Sequence, residues 1–162
     1  MLRKIIHRNN IKEITIITGQ QKSGKTLITK LISTFKGPIN IKIEFGLDNI
    51  IQLLKNNFIN LSQFKDIFLL ILDNMFINSI LGRGLNLKRN EESSIWNTSN
   101  PQFYLKKIKT KIGKKKLKSL IKKEKDFFIT LHNFIEFKNT LAQNIPKIKI
   151  IYVYTNPVDQ IN

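Results

Sequence analysis

The stretch from Ile14 to Leu31, ITIITGQQKSGKTLITKL, constrains the fold more than any other part of the chain. A short apolar run, Ile14-Thr15-Ile16-Ile17-Thr18, stops at Gly19. Gln20, Gln21, Lys22, Ser23, Gly24, Lys25 and Thr26 follow, and then Leu27, Ile28, Leu31 and Ile32 recur at helical spacing. The pattern is strand, glycine-bounded loop, helix, and Gly19 to Thr26 satisfies G-x-x-x-x-G-K-[ST] in full. Glycines at the two ends let the backbone turn tightly, so that successive N–H groups converge. Together with the positive end of the helix they form an anion site, worth about 0.3–1 kcal/mol from the dipole and up to ~2 kcal/mol when partly buried. Lys25 adds a point charge for a terminal phosphate, and Thr26 a hydroxyl for a phosphate or Mg²⁺.

Around this core the chain alternates. Its 162 residues suffice for one domain with a real core. The first strand covers about Ile14–Thr18, and its near-continuous apolar character suits a central parallel position. The first helix runs from about Gly24 to Phe35 and stops before Gly37-Pro38. Ile39, Ile41, Ile43 and Phe45 alternate with polar residues and predict a second, half-exposed strand. Asp48 is placed to cap a helix carrying Ile50, Ile51, Leu54 and Phe58, and Ser62 to cap the next. Phe64, Ile67, Phe68, Ile71, Leu72, Met75 and Phe76 form the buried stripe of a long helix. Phe68 to Asp73 imitates an apolar strand ending in a Mg²⁺-binding aspartate, but the helical period continues past Asp73 and assigns it to the helix.

Gly82-Arg83-Gly84 ends that helix, and the polar stretch Leu85–Asn100 holds the single tryptophan, Trp96. A loop of this length is either functional, where acceptor choice would be made, or a surface connection pinned by Trp96. Ser99 or Asn100 before Pro101 starts a lysine-rich amphipathic segment reaching Lys125, with Gly113 as a break. Such a segment is either a solvated outer face or a basic surface for nucleic acid or anionic lipid. Asp126–Leu131 predicts a third strand with His132 at its end. Phe134, Phe137, Leu141 and Ile145 mark a helix stopped by Pro146, and Lys147–Tyr154 predicts a fourth strand. The expected fold is therefore α/β: a parallel sheet flanked by helices in three layers, with a helical insertion in the middle. Ligands bind such sheets at the carboxyl ends of the strands, where the Gly19–Thr26 loop, His132 and Thr155 would meet.

The net charge of +17 is carried almost wholly by lysine, in a chain also rich in isoleucine and asparagine, the signature of an AT-rich coding sequence. It would draw in a polyanionic nucleotide or acidic substrate, without favouring nucleic acid as the partner. Without cysteine there is no disulfide, thiolate zinc site or cysteine nucleophile. No apolar run approaches the ~20 residues that span a bilayer, and the polar lead-in Met1–Lys12, with His7, lacks a signal-peptide core. A cytoplasmic protein is expected.

Three segments together resemble the sulfotransferase family, within the P-loop-containing nucleoside triphosphate hydrolase superfamily, which transfers a sulfuryl group from 3′-phosphoadenosine 5′-phosphosulfate (PAPS). Gln21-Lys22-Ser23-Gly24-Lys25-Thr26-Leu27 resembles that family's P-K-S-G-T-T-W loop, which grips the 5′-phosphosulfate; Lys22, Ser23, Gly24 and Thr26 match. Lys149-Ile150-Ile151-Tyr152-Val153-Tyr154-Thr155-Asn156-Pro157-Val158-Asp159 resembles K-I-I-Y-V-x-R-N-P-x-D, with Thr155 where the family's arginine contacts the 3′-phosphate. His132 stands at about the family's spacing for a strand-end catalytic base. The resemblance implies PAPS as cofactor, Gly19, Lys22, Ser23, Gly24, Lys25, Thr26 and Thr155 as its binding residues, and His132 and Lys22 as catalytic residues, without a metal. The acceptor would be a hydroxyl or amine of a small molecule or glycan. The chain departs from the family at Lys25 and Thr155, and the match stops before the family's later serine and glycine-rich segment, so a divergent or shortened member is expected. Lys25 also completes the form of the loop found in kinases and NTPases, for which ATP or GTP with Mg²⁺ would be the cofactor. Otherwise His132 merely ends a strand and caps the next helix.

Overall fold

The structure, a computed structural model, describes residues 13–20, 22–36, 45–91, 93–123, 126–132, 137–145 and 148–154. Strand β1 (Glu13–Gly19) leads into helix α1 (Lys25–Lys36). Helices α2 (Phe45–Lys55) and α3 (Leu61–Leu81) follow, then a 3-10 turn at Ile95–Asn97, α4 (Pro101–Lys109) and α5 (Lys114–Lys123). Strand β2 (Asp126–Thr130), helix α6 (Lys138–Asn144) and strand β3 (Ile148–Val153) complete the described elements. The sheet order is β2-β1-β3, and both pairings are parallel. β1 is thus the middle of the three described strands, and Ile14, Ile16 and Ile17 are buried, as its near-continuous apolar run requires.

Strand side chains alternate between faces. Ile16 is level with Ile129 on one side and Ile150 on the other, and these residues join the main core with α2, α3, α5 and α6. Phe127 meets Phe76 of α3 edge-to-face, ring centroids 5.4 Å apart. Thr130, three residues after Phe127 and so on the opposite face, lies 3.1 Å from Thr29 of α1, hydroxyl to hydroxyl. Helices therefore flank the parallel sheet on both faces, with the insertion α2–α5 between β1 and β2 in sequence.

Several boundaries differ from expectation. Phe45 opens α2 rather than ending a strand; the rest of the expected second strand, residues 39–44, lies outside the described residues. Asp48 is not the cap of α2 but sits inside its first turn, where a carboxylate still complements the helix dipole. The cap of α3 is Asn60, not Ser62: Asn60 Oδ1 accepts from the Gln63 N–H (3.0 Å) and Gln63 Oε1 accepts from the Asn60 N–H (2.9 Å). This reciprocal box holds because Asn60 is extended, whereas Ser62 is already helical. Asp73 lies on α3, as its period predicts. Gly82 ends α3 at φ 66°, and a Cβ there would stand 2.8 Å from Lys107 Cβ. The close approach of α4 therefore demands glycine as much as the backbone does.

The polar loop after α3 is knitted to itself. Asn86 Nδ2 donates to Glu91 Oε2 (2.7 Å) and Ser93 Oγ (2.9 Å), while its carbonyl accepts from the Ile95 N–H (2.9 Å). Ile95, fully buried, anchors the loop; Trp96 is only partly buried, donates to the Leu87 carbonyl (3.1 Å) and carries Arg89 over its ring. Asn100 caps α4 through the Phe103 N–H, with Pro101 at the first helical position. The lysine-rich segment breaks at residues 110–113, around Gly113. Among the described residues no helix is long and apolar enough to cross a membrane.

Candidate functional site

β1 ends at the sheet edge in Gly19, where β3 passes so close that a Cβ would stand 2.2 Å from the Val153 carbonyl oxygen. Only glycine fits there without moving β3. The loop beyond it alternates in hand: Lys22 has φ 58° and Gly24 φ 82°. Between them Ser23 donates its N–H to the Gln20 carbonyl (3.4 Å), and alternation of left-handed residues with others is the backbone pattern from which anion-binding nests are made. Among the described residues only Lys22 and Asn57 are non-glycine residues with positive φ, a conformation that costs about 1–2 kcal/mol and recurs at ligand clamps. The Gly24 carbonyl accepts from the Ile28 N–H (3.0 Å), which starts α1. The first-turn N–H groups of a helix have no partner within it, and those of α1 follow directly on this loop.

The floor of the loop is buried and polar. Lys25 is buried, and its Nζ donates to the carbonyls of Gly19 (2.9 Å) and Gln20. Burial holds its ammonium below the ordinary lysine value of 10.5, while the nearby Asp48 carboxylate pulls the other way. Ser23 is buried too, and its hydroxyl, like the side-chain oxygen of Gln20, finds no hydrogen-bond partner among the described residues. Buried polar atoms are nearly always paired, so the Ser23 hydroxyl and the Gln20 side-chain oxygen leave hydrogen-bonding capacity unused among the described residues of this loop. Thr26 is partly buried, and Lys22 is exposed at the rim. Thr29 Oγ1 donates to the Lys25 carbonyl (2.9 Å) and meets Thr130 (3.1 Å), lashing the loop's helix to β2.

The second part of the site arrives on β2. The Leu131 N–H donates to the Ile17 carbonyl (3.0 Å), so pairing continues one residue past β2 and His132 emerges at the edge that carries Gly19. Its main-chain N–H donates to Asp48 Oδ1 (3.1 Å), and its Nδ1 lies 3.0 Å from Asp48 Oδ2. Both side chains are partly exposed. The arrangement is an imidazole held by a carboxylate that also interacts electrostatically with Lys25 of the loop.

Of the expected site residues, the structure brings together Gly19, Ser23, Gly24, Lys25 and Thr26, and places His132 at the same sheet edge. Lys22 stands outside the buried floor, and Thr155 lies outside the described residues. Asp48 is the member that the sequence concealed: it is 84 residues from His132, and no local spacing links them. No family model, curated protein or solved structure matches the chain.

Proposed function

We propose that the chain is a cytoplasmic, sulfotransferase-like enzyme of the P-loop type, transferring a sulfuryl group from PAPS to a hydroxyl or amine of a small molecule or glycan. The observation that supports this reading best is the orphaned, buried Ser23 hydroxyl within the nest that closes on α1, with His132 at the same edge of the sheet. Bound PAPS would supply an activated sulfuryl group with a nucleotide phosphate as leaving group. Ser23, Gly24, Lys25 and Thr26 would hold the 5′-phosphosulfate through main-chain N–H groups, the Ser23 and Thr26 hydroxyls and the Lys25 ammonium. Lys25 would exchange its contacts with the Gly19 and Gln20 carbonyls for phosphate oxygens, neutralising the charge that builds on the leaving side. Lys22 would reach over the rim from outside, and Thr155 would stand near the 3′-phosphate, where a neutral hydroxyl binds less strongly than a guanidinium. His132 would take the acceptor's proton as the acceptor oxygen or nitrogen closes on sulfur in line with the leaving group.

This reading is tested by following conversion of PAPS to 3′-phosphoadenosine 5′-phosphate with a panel of phenol, sugar and amine acceptors. His132→Ala lowers turnover by about 10²–10⁴-fold, as loss of a general base does, and leaves nucleotide binding intact. Turnover that survives His132→Ala unchanged would remove His132 from the chemistry.

A kinase or NTPase using ATP or GTP with Mg²⁺ is the second reading, favoured by Lys25, which completes the NTP-binding form of the loop, and by the proximity of Asp48 to it. It ranks second because both Asp48 oxygens already accept from His132. A Mg²⁺ ion usually takes one or two carboxylates, and this carboxylate would have to leave its histidine to supply one.

A further inference from the structure

Asp48 reaches His132 twice, through the main-chain N–H at Oδ1 (3.1 Å) and through Nδ1 at Oδ2 (3.0 Å). An ionised carboxylate can only accept, so Nδ1 must carry the proton of that contact, and the neutral ring must keep its lone pair on Nε2. The second contact, to the backbone of the same residue, prevents the pair from sliding: a carboxylate fixed to the main chain leaves the ring one orientation in which Nδ1 meets Oδ2. The carboxylate is itself fixed by the first turn of α2, where the helix dipole favours negative charge. It also lies close enough to Lys25 to raise the tendency of that ammonium to stay charged.

We infer that Asp48 is a positioning residue for His132, holding the imidazole as the Nδ1–H tautomer so that Nε2 is the atom that accepts a proton at this site. The inference rests on His132 being the base of the proposed transfer, and it specifies the atoms of that step. The acceptor O–H proton passes to Nε2, and the acceptor oxygen forms its bond to sulfur. The bond from sulfur to the bridging phosphate oxygen breaks, and its electron pair leaves on the nucleotide. The imidazolium so formed is stabilised by the same carboxylate, which stays ionised. Asp48 touches neither nucleotide nor acceptor in this scheme; it acts through the ring.

The tautomer can be read without knowing the acceptor. The chain has two histidines, so in a ¹⁵N-labelled His7→Asn variant of the full chain the long-range ¹H–¹⁵N spectrum reports His132 alone. Recorded about two pH units above the ordinary histidine value of ~6.5, the spectrum is expected to show Nδ1 protonated and Nε2 bearing the lone pair. Asp48→Ala is expected to move the ring toward the Nε2–H form that predominates in free histidine, and Asp48→Glu to restore part of the Nδ1–H signal. An Nε2–H ring in the unmutated site, or an Nδ1–H ring that persists in Asp48→Ala, would overturn the inference; the first result needs no substitution within the site. A thermal shift with 3′-phosphoadenosine 5′-phosphate, measured on the same samples, keeps the two levels apart. Loss of that shift with the tautomer as expected would count against the PAPS reading, and the reverse would count against Asp48.

Discussion

At the scale of single residues, the loop combines a strained rim with an unsatisfied floor. The Ser23 hydroxyl is buried and has no partner among the described residues. Removing such a group is close to neutral or stabilising, because its desolvation cost disappears with it. Ser23→Ala is therefore expected to leave the melting temperature of the free protein unchanged or raised while reducing the stabilisation gained from nucleotide. A melting temperature that falls without nucleotide would show the hydroxyl to be satisfied already. Gly19→Ala should do the opposite, losing about 1–3 kcal/mol by overpacking, since its Cβ would meet the Val153 backbone oxygen at 2.2 Å; urea unfolding measures the loss. Lys25 gives a pH dependence whose sign follows from burial. Its folded-state value is lowered from 10.5, so over the interval between the two the unfolded chain binds more protons. The penalty that Lys25 imposes is fully present below its folded-state value and is relieved as pH rises toward 10.5. Relative to Lys25→Met, in which other titrations cancel, the wild-type protein should gain stability as the solution is made alkaline. Parallel pH curves for the two proteins would contradict this.

At the scale of elements, local signals located most boundaries and failed where tertiary contact decides. β1, its loop and α1 were legible because strand period, glycines and helix period follow one another without interruption. The stripe from Phe64 to Phe76 was legible for the same reason and placed Asp73 on α3, but Ile67, expected within the buried stripe, lies at its margin and is exposed. The cap of α3 was misread because Ser62 and Asn60 are both good capping residues; only the reciprocal bond with Gln63 separates them. Asn60→Ala should cost about 0.5–2 kcal/mol and Ser62→Ala far less, a contrast that denaturant titration resolves. Trp96 drew attention by its size, yet Ile95 carries the burial; composition does not reveal which of two adjacent apolar residues turns inward. The pairing of Asp48 with His132 was illegible because it joins α2 to the end of β2 across the fold. Helix α5 shows the same override: three lysines in its first turn oppose the dipole, so packing of Leu117, Leu120 and Ile121 against the core must hold it.

At the scale of the whole molecule, a net charge of +17 acts on stability and on ligand approach in opposite ways. Self-repulsion of the folded chain weakens as salt screens it, so the melting temperature of the free protein should rise toward physiological ionic strength, where the Debye length is about 8 Å. Steering of a polyanionic nucleotide weakens over the same range, so its association rate should fall. A site-specific nucleotide must therefore be recognised at fixed salt. The most direct measurement is the thermal shift produced by 3′-phosphoadenosine 5′-phosphate, compared with ATP in the presence and absence of Mg²⁺. A ligand that binds only the folded state raises its stability by mass action, about 2.7 kcal/mol at a hundred times its Kd. A shift with the 3′-phosphorylated nucleotide that is independent of Mg²⁺ and lost in Lys25→Ala is the predicted result. A shift with Mg-ATP alone, or with neither nucleotide, would contradict it.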